Sequence, residues 1–176
     1  MDSLSKAIFE NKQLDIDSLP RYGEVKFSSL NPKYLVKLNI ITTAGALIFL
    51  VGLGAGYVLV ENYRGLLPFL AILFLLIFFG SYYRNFQLQK RNGYAIRERD
   101  IIFKRGFIYK KTTVVPFNRV QHVSTGRDIL DKFLGISTLR VFTAGGSGSD
   151  IGIPGLLPKI TSGLKEEISK RTSSHD

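Results

Sequence analysis

Two stretches without a single charged residue constrain this chain more than any other feature. Residues 38–60 and 65–83 are 23 and 19 residues long and contain no Asp, Glu, Lys or Arg. A helix rises about 1.5 Å per residue and the hydrocarbon core of a bilayer is roughly 30 Å thick, so about 20 apolar residues cross it. Both stretches are long enough. A water-soluble helix of this length keeps a polar face, whereas here few residues, such as Thr42 and Thr43 near one end, break the apolar character. A cleavable signal peptide has a short apolar core close to the start of the chain. The first stretch begins only at residue 38 and is too long for that role.

Charge placement orients the pair. Glu61, Asn62, Tyr63 and Arg64 join the stretches, a connection so short that it predicts a tight hairpin with both flanks on one side. Lys26, Lys33 and Lys37 precede the first stretch, and Arg84, Lys90 and Arg91 follow the second. Lys and Arg within about 15–20 residues of a span favour the cytoplasmic side. The expectation is a multi-pass protein of the plasma membrane with both termini cytoplasmic. It divides into a segment 1–37, a transmembrane hairpin 38–83, a domain 84–171 and a tail 172–176. Tyr34, Tyr57, Tyr63, Tyr82 and Tyr83 lie near the span ends, where amphipathic rings favour the headgroup level. Gly52 and Gly56 form a GxxxG, with Gly45 before them. Small residues let helices approach closely, so these three predict packing of the two spans against each other or, second, against another subunit. Neither stretch holds an ionisable group, which an ion or proton pathway needs.

The formal net charge of +10 is unevenly spread. Residues 84–176 hold 17 Lys/Arg against 8 Asp/Glu, whereas residues 1–39 hold 6 against 5. Anionic lipid in the cytoplasmic leaflet attracts each nearby cation by about 1 kcal/mol. Arg84, Lys90, Arg91, Lys104, Arg105, Lys110 and Lys111 are therefore candidate contacts to anionic headgroups, against the plainer reading of a solvated face. Nucleic acid is not an expected partner, since no aromatic–basic RNA motif is present. The chain has no Cys and only two His, His122 and His175, so disulfide, thiolate, metal and cofactor chemistry are not expected.

After Asn92 the texture changes to short β-like runs. Residues 94–97, 101–104, 107–115, 120–124, 138–143 and 151–153 are rich in β-branched and aromatic residues. Arg105-Gly106 reads as a hairpin turn, and residues 127–134 as a short helix or turn. Residues 144–149 are Gly/Ser-rich and predict a loop. At the end, Pro158 suits a first helical turn, and Leu157, Ile160, Leu164 and Ile168 make one apolar stripe. Near the start, Leu4, Ala7 and Ile8 form a weak amphipathic patch. The domain thus reads as about seven short strands closed by one helix, a natural way to bury a curved sheet.

Six segments in this order carry a resemblance: Tyr94-Ala-Ile-Arg-Glu98, Lys104-Arg-Gly106, Val115-Pro-Phe-Asn-Arg-Val-Gln-His-Val123, Phe133-Leu-Gly135, Phe142-Thr-Ala-Gly145 and Ile153-Pro-Gly-Leu156. Over about residues 80–170, with the two preceding spans, the chain resembles the bacterial pleckstrin-homology-like domains of the membrane-flanked type. The resemblance implies a PH-like fold, a strongly bent seven-stranded sheet or barrel capped by a C-terminal helix. It also implies membrane anchoring and pairing with a larger membrane protein that carries several such domains. Eukaryotic pleckstrin-homology domains bind phosphoinositides through a basic first hairpin; here Arg97 and Arg99 alternate with Glu98 and Asp100.

The Val115–Val123 segment is the sharpest motif. In a regular strand, side chains alternate between faces, which sets Arg119, Gln121 and Val123 against Val120, His122 and Ser124. The structural expectation has His122 satisfying a buried backbone group, with Arg119 and Gln121 bracing the adjacent hairpin. The functional one makes Arg119, Gln121 and His122 a motif for a partner or lipid. No Ser, Cys or acid accompanies His122 at a catalytic spacing. Thr143-Ala-Gly-Gly-Ser-Gly-Ser149 lacks the Lys-Ser/Thr of a P-loop. The leading functional reading is a membrane-anchored scaffold that assembles with itself or with a larger membrane partner, with envelope stress defence as a family-level expectation. The alternative is an anionic-lipid-recognition module. A membrane enzyme ranks last, because the sequence holds no catalytic constellation.

Overall fold

The computed structural model describes residues 25–59, 65–146 and 149–173. The Leu4/Ala7/Ile8 patch and the connection 61–64 lie outside the described residues. Two long helices dominate: α1 (Lys33–Leu59) and α2 (Leu67–Arg91), both long and apolar enough to cross a membrane. The Asn31 side chain accepts the Lys33 N–H at 3.0 Å, and Pro32 follows it, a combination that suits a helix start. Pro68 lies in the first turn of α2, where a missing N–H leaves no intrahelical bond broken.

The strands form two antiparallel sheets. The first has the order β1-β2-β3-β4, with β1 (Ser28–Ser29), β2 (Gly93–Ile96), β3 (Asp100–Arg105) and β4 (Lys111–Pro116). A 3-10 turn (Phe117–Arg119) leads to the second sheet, β5-β6-β7, made of β5 (Val120–Gly126), β6 (Ser137–Thr143) and β7 (Ile151–Leu156). A short helix α3 (Ile129–Leu134) links β5 to β6, and α4 (Pro158–Ser173) closes the domain. Along β6, buried Ser137, Leu139, Val141 and Thr143 alternate with more exposed Thr138, Arg140 and Phe142, the period of a strand with one face inward. Ile101, Phe103, Val115, Phe117, Leu139, Val141, Ile153 and Ile168 share one core.

The chain enters this domain before it enters the helices. Ser28 pairs with Tyr94 and Ser29 with Gly93, and Leu30 is 1% exposed within the core. The helical hairpin is therefore inserted between the first and second strands of the first sheet. A domain drawn from residue 84 omits β1 and Leu30.

Three local expectations need correction. Arg105-Gly106 is not a two-residue turn: β3 ends at Arg105 and β4 begins only at Lys111, so residues 107–110 are loop rather than strand. Gly106 has φ +103, and a Cβ there would lie 1.9 Å from the Tyr109 carbonyl oxygen, a conformation that only glycine adopts freely. Leu157, just before α4, and Ile160 within it are exposed, whereas Thr161 and Ile168 are buried. Thr161 takes the inward position because its Oγ1 and the Ser137 Oγ share a hydrogen bond of 2.6 Å. Between the helices, a Cβ built at Gly45, Gly52 or Gly56 would meet nothing within 4 Å, so these glycines do not form the contact between α1 and α2. That contact uses Ala46, the stacked rings of Phe49 and Phe74 and a polar cluster described below.

Candidate functional site

Hardly any chain separates the helices from the sheet. Asn92 alone stands between α2 and β2, and residues 30–32 between β1 and α1. Both joints are further fastened by side chains. At the start of α1, Lys37 Nζ donates to Asp128 Oδ2 at 2.5 Å and to Asp131 Oδ1 at 2.7 Å. Those carboxylates cap α3 reciprocally: Asp128 accepts the Asp131 N–H at 2.8 Å, and Asp131 accepts the Asp128 N–H at 3.3 Å. Asp131 is buried and Asp128 largely exposed. The hydrogen bond from Lys37, reinforced by the Asp131 N–H, holds the Asp128 carboxyl below the usual carboxylate range. Nearby, the Asn31 N–H donates to the Gly155 carbonyl at 2.9 Å. Gly155 has φ +65, and a Cβ there would lie 2.6 Å from the Tyr34 Cβ. Gln89 of α2 donates to the Leu30 carbonyl at 2.8 Å, which ties β1 to the second helix.

At the end of α2 the fastening is aromatic. The Phe107 ring sits edge-on to Tyr83, 5.8 Å between centroids, with the Arg91 guanidinium 5.0 Å from its centre. Asn92 Oδ1 accepts the Gly106 N–H at 2.9 Å, which pins the base of the same loop. Beyond these anchors Ile108 and Tyr109 are 89% and 80% exposed.

Facing ends of the helices carry polar groups. Asn85, 1% exposed, donates to Asn39 Oδ1 at 3.2 Å and to Thr42 Oγ1 at 3.0 Å, and Thr43 Oγ1 lies 2.5 Å from Tyr82 Oη. An apolar medium strongly disfavours unpaired polar groups, so such pairs fix the relative rotation of two helices.

The basic residues singled out from sequence fall largely together. Arg84, Lys90 and Arg91 are exposed on the last turns of α2; Lys104, Arg105 and Lys110 are exposed at and beside the β3–β4 loop, with Lys111 half-buried at the start of β4. Lys90 lies 4.4 Å above the Phe86 ring and Lys104 5.7 Å from Phe27. The other basic hairpin is different: Arg97 Nε donates to Asp100 Oδ1 at 2.7 Å, so a carboxylate of the same chain already occupies its guanidinium.

His122 is exposed, not buried, and stacks on Phe142 at 4.2 Å, its directly opposed cross-strand neighbour. The expectation that it satisfies a buried backbone group is overturned. Two features invert the expected alternation. Arg119 belongs to the 3-10 turn rather than to a strand, and a register shift falls between Val120 and His122. Val120 and Val123 both turn inward, and Arg119 at the end of the 3-10 turn and Gln121 and His122 at the start of β5 are all exposed. Sequence reasoning missed the Lys37–Asp128–Asp131 group and the Ile108–Tyr109 tip. It also missed the exposed pair Ile129 and Phe133 on α3. Among the described residues no group of His, Cys, Asp or Glu is placed to hold a metal ion.

An apolar helical hairpin joined without slack to two antiparallel sheets and a closing helix defines a PH-like module with a membrane hairpin built into it. The chain matches the Bacterial PH domain family over residues 37–172, well over half its length, and belongs to that family. No curated protein and no solved structure matches it.

Proposed function

We propose that this protein is a membrane-anchored scaffold. Its helices cross the plasma membrane as a hairpin with both termini cytoplasmic. Its PH-like domain is held against the inner leaflet, where it docks copies of itself or a larger membrane protein with several PH-like domains. The observation that carries this reading is the slack-free joint: one residue between α2 and β2, and the Lys37 clamp onto α3. A domain held at a fixed angle suits docking of a partner in a defined geometry, a constraint that contact with lipid headgroups does not require. Pairing of β1 with β2 supports a hairpin with both flanks on one side, in keeping with the positive charge beside both. The exposed β5 edge with Arg119, Gln121 and His122 offers a surface for strand addition or side-chain docking. The open glycine face of α1 offers a site for close approach by another span.

The test is the mass of the full chain in lipid nanodiscs, combined with cross-linking. The chain lacks cysteine, so Gly52→Cys and Gly56→Cys report only contacts between copies. A discrete oligomer that forms disulfides at these positions is the expected result for self-assembly. A stoichiometric membrane partner is the expected result for the hetero-complex. A monomer with no partner would overturn the scaffold reading and favour the anionic-lipid module, for which the cluster of exposed cations around the β3–β4 loop speaks.

A further inference from the structure

The geometry points to the β3–β4 loop as a membrane wedge, with Ile108 and Tyr109 seated at the boundary between headgroups and acyl chains of an anionic leaflet. This inference rests on the membrane-spanning reading but adds a contact that neither the spans nor the cations require.

Three observations place the loop at that depth. First, β2 leaves the end of α2, turns at residues 97–99 and returns as β3, with Lys104 opposite Gly93. The loop therefore emerges at the end of the sheet nearest the helices. Second, Phe107 bridges Tyr83, the last residue of the uncharged stretch, and Arg91 two turns on. Its ring lies near the level of Gln87, about 6 Å past Tyr83 along the helix. The headgroup layer on each side of a bilayer is about 5–8 Å thick, so Phe107 stands within it. Third, the two residues beyond Phe107 are the most water-averse exposed pair of the sheet domain's loops, at 89% and 80% exposure, and Arg105 and Lys110 flank them. An apolar tip with a cationic collar matches acyl chains beneath anionic phosphates, and Tyr favours that boundary. The loop is also held in shape before it meets lipid: Gly106 supplies the positive φ, and Asn92 fixes its N–H.

The chain has no tryptophan, so single-tryptophan variants read depth without background. The full chain carrying Ile108→Trp is reconstituted in phosphatidylcholine/phosphatidylglycerol vesicles containing phosphatidylcholine brominated at shallow or deep acyl positions. Leu73→Trp, in the middle of the uncharged stretch of α2, reports the span, and Arg99→Trp reports the far end of the β2–β3 hairpin, about 20 Å along the strand from Arg105. The expected result is blue-shifted Ile108→Trp emission quenched by shallow bromines, including at high salt, where screening removes purely ionic adhesion. Leu73→Trp is quenched most by deep bromines and Arg99→Trp by neither. Ile108→Trp emission as water-like as that of Arg99→Trp would overturn the wedge, as would quenching that disappears with salt. A blue shift without bromine quenching would show that protein, not lipid, covers the tip, and would overturn it too. If Leu73→Trp escapes deep quenching, the membrane-spanning reading itself fails and the wedge falls with it.

Discussion

At the start of α1 the domain is gripped by Lys37 between two carboxylates, one of them buried. At the end of α2 it is touched by the ring of Phe107, with an arginine on one side and a tyrosine on the other. The two joints face different demands. Charged hydrogen bonds are directional and costly to break where water is scarce, so the first joint sets the angle of the domain. Ring contacts are broad and tolerate sliding, so the second supports a loop without freezing it. The domain is thus locked on one side and cushioned on the other.

Substitutions can separate the two. Gly155→Val should be the most damaging, because a branched side chain at φ +65 would also collide with Tyr34. Strain and overpacking together should cost about 3 kcal/mol, read as a fall in thermal midpoint of the full chain in detergent. Asp131→Ala removes one of the Lys37 bonds and half the α3 cap, for a loss of about 2 kcal/mol. Hydrogen exchange should speed up in α3 and leave the β3–β4 loop unchanged. Asn85→Leu deletes the bonds to Asn39 and Thr42 between the helices. Polar pairs in such settings contribute about 0.6–1.7 kcal/mol, so a modest loss in steric-trap or denaturant unfolding is expected. Phe107→Ala should be mildest, about 0.5–1 kcal/mol, with faster exchange confined to residues 106–110. If it destabilised the chain more than Asp131→Ala, the contrast between the joints would be reversed.

Acid offers another probe of the first joint. The folded-state pKa of Asp128 is lowered, so its contribution is complete above the ordinary carboxylate pKa and disappears as pH falls through the lower folded value. Neutral pH leaves the clamp intact; acidification should loosen α3 before the β3–β4 loop. A Lys37→Ala chain should show a flatter dependence over the same acidic range when followed by exchange at α3.

What could be read from sequence follows from how far apart the cooperating residues lie. The two apolar helices depend on composition within a window, and β6 on a short run rich in β-branched and aromatic residues, so both were legible. The Lys37 bond to Asp128 joins positions 91 apart, and β1 is two unremarkable serines whose partner strand lies beyond both helices. No local pattern announces either. His122 failed for a subtler reason: a single register shift after Val120 reverses which side chains face water. The glycines of α1 read as a close-approach motif, yet within the chain nothing comes within 4 Å of a Cβ built at Gly45, Gly52 or Gly56. The exposed tip at Ile108 was hidden because Phe107, Ile108 and Tyr109 read as strand; the hydrogen bond from Gly106 to Asn92 and the ring contact to Tyr83 hold that run in a loop.

The insertion of the hairpin between β1 and β2 also sets an order of events during synthesis. A ribosome makes Ser28, Ser29 and Leu30 first, then both helices, and only afterwards the strand they pair with. The sheet domain cannot close until both helices have been made and β2 has followed them. In the topology proposed above, a copy with only one helix inserted would hold Leu30 and its two serines across the bilayer from β2. In the proposed topology, the domain is completed only in chains whose two helices both went in.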